Sequence, residues 1–220
     1  MNEIDVITEK LLNAGSAETI KKMERIGISP QRAVGVNLTQ LREIAKPYKG
    51  QHELALQLWD CKYHEAKIIA TMIDDPKQVT RVQISKWASE FYSWDICDLT
   101  CRNLFERTPY VQPLIARWTK CNRVFLKRAG FVLIARQAKV NKKMGDKKFI
   151  HYLSLIEKNS DDERNFVKKA LSWSLRQIGK RNDFLRLQSN DVANRLLQKG
   201  DKSSLWIARS YLQELGGDND

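Results

Sequence analysis

The stretch FYSWDICDLTC at 91–101 sets two carboxylates, Asp95 and Asp98, beside the indole of Trp94 in a chain that is otherwise strongly basic. A carboxylate next to an aromatic wall can stabilise a cation that develops as a bond breaks, and can orient or deprotonate a water. Helix chemistry offers a plainer account of the same residues. Ser93 is a natural N-cap, and an acid in the first helical turn, such as Asp95, favours the helix dipole. Asp98, one turn further in, is less easily explained that way, although a solvated or paired acid fits the pattern too. Asp98 is therefore the candidate catalytic group and Asp95 the candidate scaffold.

The elements that must position these groups are helices. Apolar residues recur at three-to-four spacing in LALQLW, AKIIATMI, FLKRAGFVLIA and FVKKALSWSLRQI, which is the helical period. Breaks fall between such stretches, at Gly27 to Pro30, Pro47, Gly50, Pro76, Pro109 and Gly200. No strand pair with a hairpin turn emerges, so the fold class expected is all-α. Several helices look like copies of one pattern. In KYHEAKIIA, WDICDLTC, FLKRAGFVL and FVKKALSWSL the fifth residues are Ala66, Asp98, Ala129 and Ala170, separated by 32, 31 and 41 residues, and LWIARSYL with Ala208 is a looser copy. Periods of this length, each holding two helices, predict an α-solenoid of HEAT-like repeats over 1–220 as a single domain. On that register Lys127, Arg128, Lys168 and Lys169 line one concave wall with helix N-termini, and Asp98 stands as an acid in a basic track.

The charge points to the partner. The formal net charge is +12, from 38 Lys and Arg against 26 Asp and Glu, and residues 117–199 alone hold 21 against seven. A surplus so localised implies a binding face for a polyanion, nucleic acid before an anionic membrane, and argues against a scaffold for an acidic protein. Arg176, Lys180 and Arg181 extend the basic set. KVNKKMGDKK reads as a loop whose Lys142, Lys143, Lys147 and Lys148 are either solvated or touch a backbone phosphate. Trp59, Trp87, Trp118 and Trp206 read as packing residues.

Other chemistries find little support. Cys61, Cys97, Cys101 and Cys121 form no CxxC pair, and His52, His64 and His151 add no ligand cluster, so no metal is expected and the thiols are read as reduced. His64 and His151 have no triad-like company in sequence, which disfavours a nucleophilic hydrolase. The N-terminus MNEIDVITEK is acidic and amphipathic rather than a secretion signal, and no apolar run reaches transmembrane length. A cytoplasmic location, nucleoid-associated in a bacterium, or a nuclear one is expected.

Four segments together carry a resemblance to a family: MERIGISPQRAVGVNLTQLREIAK, SWDICD, FLKRAGFVLIARQ and VKKALSWSLRQIGK. In this order they are similar to the DNA alkylation repair proteins, the AlkD-type alkylpurine DNA glycosylases built from HEAT-like repeats. The resemblance implies a C-shaped clamp that holds duplex DNA in a basic concavity and releases N3- or N7-alkylated purines, as a monomer without metal or organic cofactor. It implies that Asp98 is the catalytic carboxylate, that Trp94 and Trp173 hold the lesion, and that Arg128 is the arginine of the family's next motif. Lys127, Lys168, Lys169, Arg176, Lys180 and Arg181 are then the expected contacts to the DNA backbone. One departure concerns the N-terminal helix, where some members carry an aromatic and this chain has Met23 and Ile26. The alternative is a HEAT-like clamp that binds branched or distorted DNA without chemistry.

Overall fold

The computed structural model describes residues 2–28 and 32–216; Pro30 of the Gly27–Pro30 break lies outside the described residues. The chain divides into two compact units, Met1–Tyr110 and Val111–Asp220. The first contains α1 (Glu3–Ala14), α2 (Ala17–Arg25), α3 (Leu38–Ala45), α4 (His52–Trp59), α5 (His64–Ile73), α6 (Arg81–Ser89) and α7 (Trp94–Asn103). The second contains α8 (Val111–Trp118), α9 (Val124–Val140), α10 (Asp146–Lys158), α11 (Asn165–Gly179), α12 (Asp183–Lys199) and α13 (Lys202–Leu215). Among the described residues there is no strand, as the periodicity predicts.

Local sequence sets the helix ends. Asn2 and Asn37 close capping boxes with Asp5 and Gln40, and Thr80, Asn182 and Asp201 accept backbone N–H bonds at the starts of α6, α12 and α13. Gly200 stops α12 in the left-handed conformation at φ 75°.

In the first unit α5 is the spine. Nine of its ten residues are buried, and α1, α3, α4 and α7 pack against it. A helix sunk this deep must satisfy its own polar side chains. Glu65, fully buried, accepts from the backbone N–H groups of Val34, Gly35 and Val36 at 3.0, 2.8 and 3.3 Å. Gly35 makes that turn possible: it sits at φ 83°, and a Cβ there would stand 2.1 Å from the Ser16 carbonyl oxygen. Lys67 reaches the Glu90 carboxylate at 3.2 Å and lies 4.7 Å over the ring of Trp59, which stacks on Trp87 at 4.1 Å. Replacing Glu65 with alanine strands three donors, and we expect a loss of about 3 kcal/mol in urea unfolding.

In the second unit α8 and α11 pack on α9, α13 packs on α11, and α10 and α12 cover α11 from behind. The alanines of the sequence pattern, Ala66, Ala129, Ala170 and Ala208, are all at most 1% exposed, because close helix contact tolerates little more than a methyl group there. Asp98 does not share their place. Cys97, like Thr100 and Cys101, is fully buried on α7, while Asp98 is half-buried. Two side-chain bonds between α5 and α7, His64 to Asp95 and Asn103 to Thr71, set the helices in a register of 31 to 32 residues, which brings Ala66 level with Cys97 and Asp98.

The expected KVNKKMGDKK loop is shorter than its charge pattern suggests. Lys142 and Lys143 lie between helices, whereas Lys147 and Lys148 belong to the first turn of α10, and Lys148 lies 5.7 Å from the centre of the Tyr152 ring. Arg181 pins the segment: it donates to the carbonyls of Ala138, Asn141 and Met144 at 2.9, 3.0 and 3.0 Å and packs 4.2 Å from the centre of the Phe149 ring. Arg181→Ala should cost about 2 kcal/mol and raise amide exchange through 138–146, measured by hydrogen–deuterium exchange.

Candidate nucleic-acid interface

Trp94 and Asp98 lie one turn apart on α7. Trp94, the first residue of the helix, is half-buried and donates from Nε1 to the Ile26 carbonyl at 3.0 Å, which joins the end of α2 to the start of α7. Met23 is buried in α2, while Ile26 is 57% exposed beside this contact. Asp98 is half-buried on the same helix.

The start of α7 is held by a chain of hydrogen bonds that sequence reading missed, open to solvent at Tyr92 and buried from His64 to Asp95 and Ser93. The Tyr92 hydroxyl meets His64 Nδ1 at 2.8 Å, and His64 Nε2 meets Asp95 Oδ2 at 2.7 Å. The Ser93 hydroxyl donates to Asp95 Oδ1. Ser93 does stand at the N-cap, but its hydroxyl bonds Asp95 rather than the helix backbone. His64, expected to lack triad-like company, has a carboxylate and a hydroxyl beside it: its partners come from 28 and 31 residues away, where no local signal marks them. His64 is fully buried and Ser93 only 2% exposed, so the array braces a helix start and presents no nucleophile to solvent.

Electrostatics follow from this packing. Burial alone would raise the Asp95 carboxyl, but the His64 hydrogen bond and charge, with Ser93 and the Ile96 backbone, hold it below the usual carboxylate range. Tyr92 is pushed up to about 12, by burial first and then by the Asp95 charge. A cleft of about 670 Å³ elsewhere on this unit is lined by Arg32, Tyr63, Lys67 and Glu90, and neither Trp94 nor Asp98 contributes to it.

Arg128 and Trp173 belong to the second unit, on α9 and α11. Arg128 is only 7% exposed, and its Nη1 donates to the Phe166 carbonyl at 2.7 Å beside the Phe125–Phe166 ring contact. Trp173 is half-buried. The six expected backbone contacts divide by environment. Lys127 pairs with Asp162 at 2.9 Å inside the protein. Burial would raise that carboxyl, yet the Arg164 and Lys127 hydrogen bonds and the Lys127 charge hold it at about 2. Arg176 bonds Glu214, Ser172 and Ser210 at 2.8, 2.6 and 2.7 Å, Lys180 pairs with the same Glu214, and Arg181 is spent on the α9–α10 segment. Lys169 is exposed, and Lys168 is half-buried with its ammonium 5.2 Å from the centre of the Trp206 ring.

Trp59, Trp87 and Trp118 are packing residues, at 0%, 1% and 4% exposure, but Trp206 is 39% exposed and corrects the fourth expectation. The charge separates as cleanly as the structure does. Residues 111–220 hold 23 Lys and Arg against 11 Asp and Glu, while 1–110 hold 15 of each. Among the described residues no group of three His, Cys, Asp or Glu side chains can hold a metal ion, and no helix is long and apolar enough to cross a membrane. Cys97 and Cys101 are buried and belong to no disulfide.

These features define a class. The chain is an all-helical, HEAT-like repeat protein. It matches, with a TM-score of 0.84 and 19% identity over 97% of this chain and 94% of the other, a solved structure described as a new family of proteins related to the HEAT-like repeat DNA glycosylases with affinity for branched DNA structures. That likeness is one of fold. The family follows from the sequence: the model of the DNA alkylation repair enzymes matches residues 7–188, and the chain belongs to that family. Comparison with curated proteins gives no significant match.

Proposed function

We propose that this protein is a monofunctional DNA glycosylase that releases cationic N3- and N7-alkylated purines from duplex DNA, with Asp98 as the catalytic carboxylate. The observation that carries this reading is the Trp94–Asp98 pair one turn apart on α7, with the helix start braced beneath it by buried Asp95 and His64. The leaving base already carries a positive charge. As the glycosidic bond breaks, its electron pair neutralises the base and the sugar becomes oxocarbenium-like. Water then adds at C1′ and loses its proton to the carboxylate or to solvent. One negative charge ~4 Å from the sugar, at an effective dielectric near 20, stabilises that state by roughly 4 kcal/mol.

Trp94 is assigned to the lesion, where cation–π contact contributes about 0.5–2 kcal/mol and neutral purines gain nothing comparable. Arg128, with one Nη1 donor on the Phe166 carbonyl, is assigned to the phosphate beside the lesion. Lys168 and Lys169 are the assigned backbone contacts. Lys127, Arg176, Lys180 and Arg181 are reassigned to the scaffold, because each already holds a partner in the protein: Asp162, Glu214 or backbone carbonyls. Residues 1–220 act in this reading as one functional domain, as a monomer, on DNA in the cytoplasm or nucleoid.

A second reading, a clamp for branched DNA without chemistry, is favoured by one feature. Ile26 stands exposed beside Trp94, in the helix segment where some family members have an aromatic. Incubating the protein with DNA methylated at N3 of adenine and N7 of guanine separates the two. Free methylated base in the supernatant supports the enzyme, and tight binding without release supports the clamp. Lys169→Gln should weaken binding to any duplex alike and lower the slope of log K against log salt by about one, measured by anisotropy titration.

A further inference from the structure

Trp206 is the one large aromatic of the second unit's tryptophans that is left open to solvent, and its surroundings are basic. It sits where α13 meets α11. Lys168 lies over its ring at 5.2 Å, and one turn on, Ser172 bonds Ser210 at 3.0 Å, so residues 168 and 172 face 206 and 210 across the helix pair. The buried sides of the two helices are set by Val167, Leu171, Leu175 and Ile178 on α11 and by Ile207, Ala208 and Tyr211 on α13. Lys169 on α11 and Lys202 and Arg209 on α13 are exposed, on the sides turned away from that core. An indole thus stands beside Lys168, with Lys202 and Arg209 one turn before and after it on its own helix and Lys169 next to Lys168 on the other. A phosphate alone would need only the cations; an indole face offers it nothing.

We propose that Trp206 is a stacking platform for an unpaired nucleotide of bound DNA, with Lys168 and Lys169 neutralising the phosphates on either side of it. Aromatic stacking accepts any base, since every base has a π-face, and cations beside the ring hold the strand in place without reading its sequence. Fully paired DNA keeps its bases stacked on one another and gains little from the indole. Forked, bulged or gapped DNA supplies the free base. The inference rests on the reading of this protein as DNA-binding and is independent of whether Asp98 cleaves anything.

The test uses unmodified oligonucleotides, so failure of base release does not enter it. Fluorescently labelled duplex and the same sequence with an unpaired fork are titrated with full-length protein at one salt concentration. Wild type should prefer the fork. Trp206→Ala should weaken fork binding by about tenfold while duplex binding stays within about twofold, and Trp206→Phe should retain most of the preference. Lys169→Gln should weaken both substrates. Circular dichroism melts of each variant identify any that misfold, and the phenylalanine variant carries the comparison if alanine does. Equal loss on both DNAs with Trp206→Ala, or no loss on the fork, would overturn the proposal.

Discussion

Asp98→Asn should bind methylated DNA as wild type does and release base about a thousandfold more slowly. The magnitude is that of one charge pair lost from the transition state, roughly 4 kcal/mol, converted to rate. Asparagine keeps the size and hydrogen-bonding reach of the side chain, so packing on α7 should be preserved. Asp98 is only half-buried, and the substitution leaves its buried neighbour Cys97 alone. Binding should change little because the cations assigned to phosphate, Arg128 on α9 and Lys168 and Lys169 on α11, are left untouched. Single-turnover release on a methylated duplex, with anisotropy on the same preparation, checks both halves. A variant that lost binding and release together would point to a structural role for the carboxylate instead.

The second large effect is on stability. His64→Ala removes the partner of a carboxylate that is 7% exposed, and should cost about 3–5 kcal/mol. For a chain of this size that lowers Tm by about 10 °C. Asp95→Asn should be destabilising too, with a signature in pH. The Asp95 carboxyl is held below its usual range in the folded protein. Its contribution is therefore fully present above the unfolded value, about 3.9, and lost as pH falls through the lower folded value. Asp95→Asn should be the less stable protein at pH 7, with the gap narrowing only once the pH falls below about 3.9 and closing when the folded carboxyl is itself protonated, as read from urea unfolding across the acid range. Because Asp95 and His64 hold the first turn of α7, both variants should also slow base release at temperatures where they remain folded, and Asp95 is in this sense a positioning residue.

The helical class and its repeating register were legible because they rest on short-range pattern. Ala66, Ala129, Ala170 and Ala208 fall where helices touch, and a methyl-sized residue recurring in phase with an apolar stripe reveals such a contact in one dimension. Asp98 differs from those alanines in being half-buried while its neighbour Cys97 is buried, a difference that a register of 31 or 32 residues does not carry. The brace around His64 was not legible at all. Its partners lie a full repeat away, and nothing near HEAKIIA distinguishes a bridging histidine from a surface one. Basic residues posed the opposite difficulty. Lys127, Arg176, Lys180 and Arg181 look identical to phosphate ligands in sequence, and only the positions of Asp162, Glu214 and three carbonyl groups show that their charge is already engaged. Trp206 was misread because large aromatics are so often core, and its exposure depends on how α13 lies against α11.

A duplex with a single 7-methylguanine, compared with the same duplex bearing hypoxanthine at that position, tests most directly whether this protein cleaves charged nucleosides. Under single-turnover conditions the account predicts release of 7-methylguanine well above the spontaneous rate and no detectable release of the neutral base. Tight binding of both duplexes with neither base set free would contradict it.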